Sequence, residues 1–483
     1  MKKYFVIFFV MLFFAKLVSA TPPKPQNAPN NTPTPTKTTT GNTTAPAVSV
    51  SNNMTTTALK VSPALNIVAI PTQVTQVNNS VAYTENTKAS SMAHADLTMP
   101  SPTPGTSNPI AGPIAVGVWP SGNMQVFGIG ARNGLIYYKA YTGSAWTPWT
   151  PIGTNIFAYS PTVAVNYLGD LELFDVSTTP CAGSGGGTVF YATSTNYSSW
   201  SAWNELGGSN ITSNITLLDY GSAGMEAFAS DVSGTVRGNK FTPSTGWTYE
   251  NCKMWSCLGM HNVFNANKSV TPAACFNGID PNTKQIFCVD SNSGQVANNW
   301  YTSSGWKYND CKSNWTLMGG PTMSLNNSTI DWYCIAGATD GLNQPEVFAI
   351  DSSSNVWYRI YSPTLGWQTW TNLGFPGGGG TGGPYIKLGP NSTVLNSNGC
   401  LALFVCNDTG ASGTVYCSVQ STPGGAFGPF NIVGWPIGAQ YVSAGIMNGQ
   451  TILWASSNDT PYTITGTFSG GTYTWGSWSA AIP

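Results

Sequence analysis

The sequence predicts an all-β fold, a seven-bladed β-propeller preceded by a disordered Thr/Pro/Asn-rich stalk. Three observations carry this. An aromatic–x–x–aromatic signature recurs seven times, a second aromatic stands upstream of each copy at a regular distance, and helical periodicity is absent throughout.

The signatures are Trp146 with Trp149, Trp200 with Trp203, Trp247 with Trp255, Trp306 with Trp315, Trp367 with Trp370, Phe427 with Phe430, and Trp475 with Trp478. A glycine follows most of them: Gly153, Gly207, Gly259, Gly319, Gly374 and Gly434. The upstream landmarks are Phe127, Phe174, Phe228, Phe287, Phe348, Phe404 and Trp454, and four of the seven stand 19 residues before their signature. Where the spacing is longer, a turn-like insert accounts for it, Cys181–Gly187 in the second unit and Asp408–Ser412 in the sixth. A fixed spacing broken only by loop insertions is the mark of a repeated hairpin.

Within a unit the pattern alternates and is rich in β-branched and aromatic residues. Gln125–Ile129, Asn133-Gly134 and Leu135–Tyr141 read as strand, turn and strand. Val347–Asp351 and Val356–Tyr361 repeat this, an apolar segment such as Ile114–Trp119 or Thr162–Asn166 precedes the pair, and the signature supplies a fourth strand. Four antiparallel strands in about 50 residues match one propeller blade. Seven of them close a ring without a long exposed sheet edge. The glycine run Gly377–Gly383 reads as an inter-blade loop.

The chain divides into residues 1–20, 21–106 and 107–483. The first piece has the form of a signal peptide: Lys2 and Lys3, an apolar stretch from Tyr4 to Phe14, and the small residues Val18-Ser19-Ala20. From Thr21 to Gly105 the only aromatic is Tyr83, and Thr, Pro, Asn, Ser and Ala dominate, so too little apolar surface exists to offset chain entropy. This part reads as a disordered linker, with the more apolar Leu59–Val81 as a possible added strand. No later run is long enough to span a bilayer or to signal a lipid anchor, so the expected product is secreted and extracellular, without membrane insertion.

Charged residues make up 8% of the chain. Removing Lys2, Lys3 and Lys16 with the signal leaves 15 basic against 19 acidic residues. That balance excludes nucleic acid and anionic membrane as natural partners, because both require a basic surface. Few charges with 18 tryptophans suit a neutral polar ligand instead. Sequons at Asn196, Asn210, Asn214, Asn314 and Asn391 mark surface loops if the host glycosylates, or reflect an Asn- and Thr-rich composition.

Ten cysteines, all beyond residue 180, fit an exported disulfide-bonded domain. Symmetry about the expected hairpin turns pairs Cys275 with Cys288 and Cys406 with Cys417. Like positions in the third and fourth units pair Cys252 with Cys311. Cys181, Cys257, Cys334 and Cys400 stay unassigned.

Enzymatic chemistry finds little to work with. Of the two histidines, His94 lies in the stalk and His261 has no evident partner. No spacing resembles a metal site, and no cofactor is implied. A sialidase would need convergent arginines, whereas Arg132, Arg237 and Arg359 fall in alternate units and the Asp-box pattern is missing. Asp231, Asp290, Asp351 and Asn407 stand three residues after a landmark aromatic, where a turn-nucleating side chain is the simpler reading than a sugar contact. Two indoles three apart on a strand point to opposite faces, so one should pack between blades while the other can stack on a pyranose. The candidate ligand platforms are Trp146, Trp200, Trp247, Trp306, Trp367 and Trp475.

The unit running from Val126-Phe127 through Asn133-Gly134-Leu135-Ile136-Tyr137-Tyr138 to Trp146-Thr147-Pro148-Trp149-Thr150-Pro151-Ile152-Gly153 resembles the repeat of seven-bladed propeller lectins of the Photorhabdus lectin type, and Trp367–Gly374 is similar. The resemblance covers Ser107 to Pro483. It implies a propeller that binds fucose-like or methylated sugars between blades. Units three and four depart from it by Cys-bearing inserts, units six and seven by degeneration, with Phe for Trp in the sixth.

The expected function is a secreted, multivalent carbohydrate-binding lectin whose partners are glycans on cell surfaces or in the extracellular matrix. The alternatives are an extracellular interaction or coat propeller that binds no sugar, and a sialidase-like glycosidase.

Overall fold

The computed structural model describes residues 110–480 apart from 179–186, 197, 221–222, 261–269, 277–283, 291, 323–333, 378–384, 389–390, 409–412, 435–437 and 458–459. The signal peptide, the linker with Leu59–Val81, His94, His261, Cys181 and the glycine run beyond Gly377 lie outside the described residues.

The described residues form seven antiparallel sheets of four or five strands and contain no α-helix. The chain is a seven-bladed β-propeller. The innermost strands are Ile110–Val118, Thr162–Val165, Thr216–Asp219, Ala273–Phe276, Ile335–Thr339, Tyr385–Lys387 with Thr393–Leu395, and Ala439–Met447. Each blade runs outward through two further strands, as in blade one with Met124–Gly130 and Ile136–Ala140, and in blade five with Pro345–Ile350 and Val356–Ser362.

The hairpin register is set by the landmark aromatics. Phe127 lies opposite Tyr138, Phe174 opposite Tyr191, Phe287 opposite Asn298, Phe348 opposite Tyr358 and Phe404 opposite Cys417. All seven landmarks are wholly buried. At about 25 cal/mol per Å² of apolar surface, each of these rings is among the largest single contributions to its blade. The expected turn at Asn133-Gly134 is present. Gly134 takes φ +64°, a left-handed conformation that costs a glycine little, and Asn133 Oδ1 accepts from Leu135 N.

The ring closes by packing blade one on the last two blades. Ile110–Val118 runs beside Ala439–Met447. Asn391 Nδ2 donates to Val116 O at 2.9 Å, while Asn391 O accepts from Ala444 N. Gly445 stands so close to Val116 that an added Cβ would lie 2.8 Å from its Cγ1, so the seam admits only a glycine there without displacement.

The fourth position of a blade is not one continuous strand. In blades three, four, five and seven two short segments pair separately with the third strand, for example Gly305–Trp306 and Thr316–Leu317 in blade four. The residues between them leave the ladder. The alternation argument therefore does not apply to the two indoles of a signature, and both are free to face the same neighbouring blade.

The cysteine pairings need correction. Cys311 is bonded to Cys257, with Cα atoms 5.4 Å apart, and so not to Cys252, which is itself disulfide-bonded. Cys275 lies opposite Gln285, and the register carries Cys288 past it. Cys406 lies opposite Val415, and Cys417 opposite Phe404. Core packing of the landmark aromatics, rather than symmetry about a turn, fixes these ladders. Cys275, Cys288 and Cys417 are buried thiols, as are Cys334 and Cys400, and the Cys406 Sγ donates to Ala439 O. The Cys257–Cys311 bond ties Ser256–Met260 of blade three to the insert of blade four.

Two sequons lie inside the fold: Asn214 is buried, and Asn391 is committed to the ring closure described above. Asn196 and Asn314 are exposed.

Candidate functional site

The first aromatic of each signature packs edge-on against the buried landmark of the preceding blade. Trp200 meets Phe127 with ring centroids 5.2 Å apart, Trp247 meets Phe174 at 5.6 Å, and Trp306 meets Phe228 at 5.6 Å. Trp367 meets Phe287 at 5.6 Å, Phe427 meets Phe348 at 5.4 Å, and Trp475 meets Phe404 at 6.0 Å. The circle is completed by Trp146 on Trp454 at 4.8 Å. The six indoles expected as ligand platforms are thus distributed one to a seam. Each gives its edge or face to a neighbouring blade in the T-shaped geometry that aromatic quadrupoles favour.

The second aromatic locks the same seam farther along. Trp203 Nε1 donates to Ile152 O at 2.8 Å, Trp255 to Leu206 O at 3.2 Å, Trp315 to Leu258 O at 2.7 Å, and Trp370 to Met318 O at 3.3 Å. Each of these indoles lies on a glycine just after the preceding blade's signature: a Cβ would meet Trp203 at 2.9 Å if placed on Gly153, Trp315 at 2.5 Å on Gly259, and Trp370 at 2.1 Å on Gly320. At Gly153, Gly259 and Gly434 the repeat glycine is the surface that receives the next blade's indole; after the second and fourth signatures Gly208 and Gly320 take that part instead of Gly207 and Gly319, and Gly374 has nothing within 4 Å.

One seam also holds an open cleft. Between blades four and five a space of about 700 Å³ is lined by Gly320, Pro321 and Thr322 on one side and by Asp351, Ser352, Trp357, Arg359, Thr369 and Trp370 on the other. Its position follows from the chain path. The segment leaving blade four meets the turn of blade five, where Ser352 N donates to Thr322 O, and the start of the third strand puts Trp357 and Arg359 on one face at i and i+2. Asp351 organises the turn. Its Oδ1 accepts from Ser353 N at 2.8 Å and Asn355 N at 2.9 Å, and its Oδ2 accepts from Asn355 Nδ2 at 2.9 Å and Trp357 Nε1 at 2.8 Å. The Trp357 ring is thereby held with its orientation fixed. Half-buried Trp357 and Trp370 present apolar surface, and Thr322, Ser352 and Thr369 present exposed hydroxyl groups. That pairing of indole and hydroxyl suits a ring carrying both C–H faces and hydroxyls.

Sequence reasoning named neither Trp357 nor Trp370 as a platform. The usable signal was Trp357 four residues before a regular Tyr361, at a site filled by Tyr137 in blade one and by Arg237 in blade three.

The corresponding seams differ in these positions. In blade three, Arg237 replaces Trp357 and its Nε is bound to Asp231 at 2.7 Å. The insert before Trp255 lays Lys253 O on Gly208 N at 2.8 Å. In blade two, Phe190 takes the equivalent place and packs at 6.4 Å from Phe157, which itself lies 4.5 Å from Trp203. The turn reading of the aspartates is met at Asp231, which accepts from Ser233 N and Thr235 N, and at Asp290, which accepts from Ser293 N. Asn407 differs, lying within the strand Leu401–Asp408 opposite Thr414.

The buried carboxylates lie elsewhere. Glu172, Asp175, Glu226 and Glu346 sit on second strands inside the blades. Burial raises Glu172, Asp175 and Glu346 above the ordinary carboxyl range. Glu226 is paired with Lys284 at 3.1 Å, whose ammonium also lies over the rings of Tyr220 and Tyr301. Among the described residues no group of three or more His, Cys, Asp or Glu side chains is arranged to hold a metal ion.

No family model matches the chain, and no curated protein matches it. Solved structures do. The BP39L lectin of Burkholderia pseudomallei superposes with a TM-score of 0.57 at 16% identity, covering 78% of this chain and 100% of that one. A polysaccharide lyase, the ulvan lyase of family PL25, gives a TM-score of 0.47 at 11% identity, covering 77% and 96%. The lectin of Aleuria aurantia, a six-bladed β-propeller described as recognising fucose, gives 0.39 at 10% identity, covering 77% and 94%. At these identities the likeness to the first is one of fold.

Proposed function

We propose that the chain is a carbohydrate-binding protein, a lectin rather than an enzyme, and that it binds a saccharide in the cleft between blades four and five. The observation that carries this is the cleft's lining: two half-buried indoles, one oriented by Asp351, beside the hydroxyls of Thr322, Ser352 and Thr369. The fold shared with a bacterial lectin supports the same reading. The leader-like first twenty residues and the disulfides support export, which places the partners among extracellular glycans. Because the other seams carry different residues at the cleft positions, the number of working sites on the ring is smaller than the number of blades.

Trp357→Ala tests the site. It removes an indole wall and the Asp351 bond but leaves the seam locks of Trp367 and Trp370 in place. Titration calorimetry against a sugar selected on a glycan array should show binding weakened by about thirtyfold, corresponding to roughly 2 kcal/mol for a central aromatic contact. Unchanged affinity in a variant with an intact thermal transition would remove the site from the account.

A further inference from the structure

In blades three, four and five the third strand carries, one residue past the partner of the landmark aromatic, a polar side chain that binds backbone carbonyls, and in blades four and five it clamps the seam. In blade four it is Asn299, whose Nδ2 donates to Leu258 O of blade three at 2.9 Å and to Tyr308 O of its own blade at 2.7 Å. In blade three it is Asn239, which donates to Tyr249 O at 2.8 Å. An amide is therefore enough for the clamp. Blade five has Arg359 at this place, bound to Met318 O of blade four, the counterpart of Leu258 O, and to Gln368 O and Trp367 O of its own blade.

The guanidinium brings more than the clamp requires. Of its five N–H donors, three serve these carbonyls, which leaves two donors and a full positive charge. No carboxylate among the described residues pairs with it. Asp351, in the same cleft, has both oxygens turned into its own turn and onto Trp357. Desolvation depresses the Arg359 pKa, consistent with a charge held partly out of water without an acid beside it. A cation so placed is complementary to an oxyanion, and the planar fork suits a carboxylate or a sulfate ester in particular.

We infer that the saccharide taken by the blade four–five cleft is acidic, its carboxylate or sulfate held by Arg359 while Trp357 and Trp370 contact the ring. This rests on the saccharide-binding reading and narrows it to a ligand class.

The test uses the full chain with two matched pairs of probes: methyl β-glucuronide against its methyl ester, and 6-sulfated galactose against galactose. Titration calorimetry should show an acidic member bound at least about tenfold more tightly than its neutral partner, an advantage that shrinks with added salt. The pair showing the advantage identifies the oxyanion. Arg359→Gln keeps donors for the seam carbonyls and should abolish the difference, with its thermal transition reporting whether the seam survives. The probe comparison on the unaltered chain stands even if that variant unfolds. Equal binding of both members of each pair overturns the inference and leaves the saccharide reading intact. Binding of neither pair, with no neutral sugar bound on an array, overturns both.

Discussion

Trp357 shows how a residue becomes available for recognition in a repeat whose aromatics are otherwise spent on architecture. Its ring is fixed by Asp351 rather than by a neighbouring blade, so its surface borders the cleft. Glu346 illustrates the opposite fate. It is wholly buried, one oxygen accepting from Gln420 Nε2 and the other without a hydrogen-bond partner among the described residues. Burial first, then Asp340, raises its carboxyl well above the ordinary range, against a smaller opposing effect of the Gln420 bond. The folded state thus favours the neutral form. The stability this contributes is complete below the unfolded value of about 4.3 and is lost as pH rises through the folded value. Glu346→Gln should therefore match the natural chain near pH 4 in urea unfolding and become the more stable of the two as pH increases. A difference that does not change with pH would show that Glu346 is ionised in the fold. The role of Glu346 was not legible in the sequence, because its partner Gln420 comes from another repeat and leaves no trace in local spacing, whereas that of Trp357 rests on Asp351 in its own hairpin.

The blade is the element at which sequence and structure agree best. Landmark aromatic, Asx turn and signature are local features with fixed spacing, so the strands around Phe127 and Phe348 could be placed from periodicity. The roles of the signature indoles could not. The split fourth strand, seen in Gly305–Trp306 and Thr316–Leu317 and repeated in blades three, five and seven, lets both indoles reach the preceding blade, and all six expected platforms pack on a neighbouring blade's landmark aromatic. Cysteine pairing failed for a related reason. Cys257 and Cys311 belong to different blades, and their proximity depends on how sheets meet. That bond closes 54 residues of sequence, so Cys257→Ser with Cys311→Ser should cost about 2–4 kcal/mol by chemical unfolding. A loss under about 0.5 kcal/mol, within the range of an ordinary surface substitution, would show that the bond adds nothing to the Trp315 lock.

At the scale of the whole molecule, seven sheets are held in a ring by aromatic-on-aromatic contact at every seam and by indole on glycine at five of them, with Asn391 and Gly445 completing the last junction. The repeat makes the ring legible from sequence. The exceptions to it, the Cys-bearing inserts and the substitutions at the Trp357 position, set the blade four–five cleft apart from the other seams. The account is tested most directly by a crystal structure of the full chain grown with the tightest-binding saccharide from an array. Sugar density between Trp357 and Trp370, beside Arg359 at the blade four–five seam, is the predicted result. Sugar bound only at other seams, with this cleft holding solvent at saturating concentration, would contradict it.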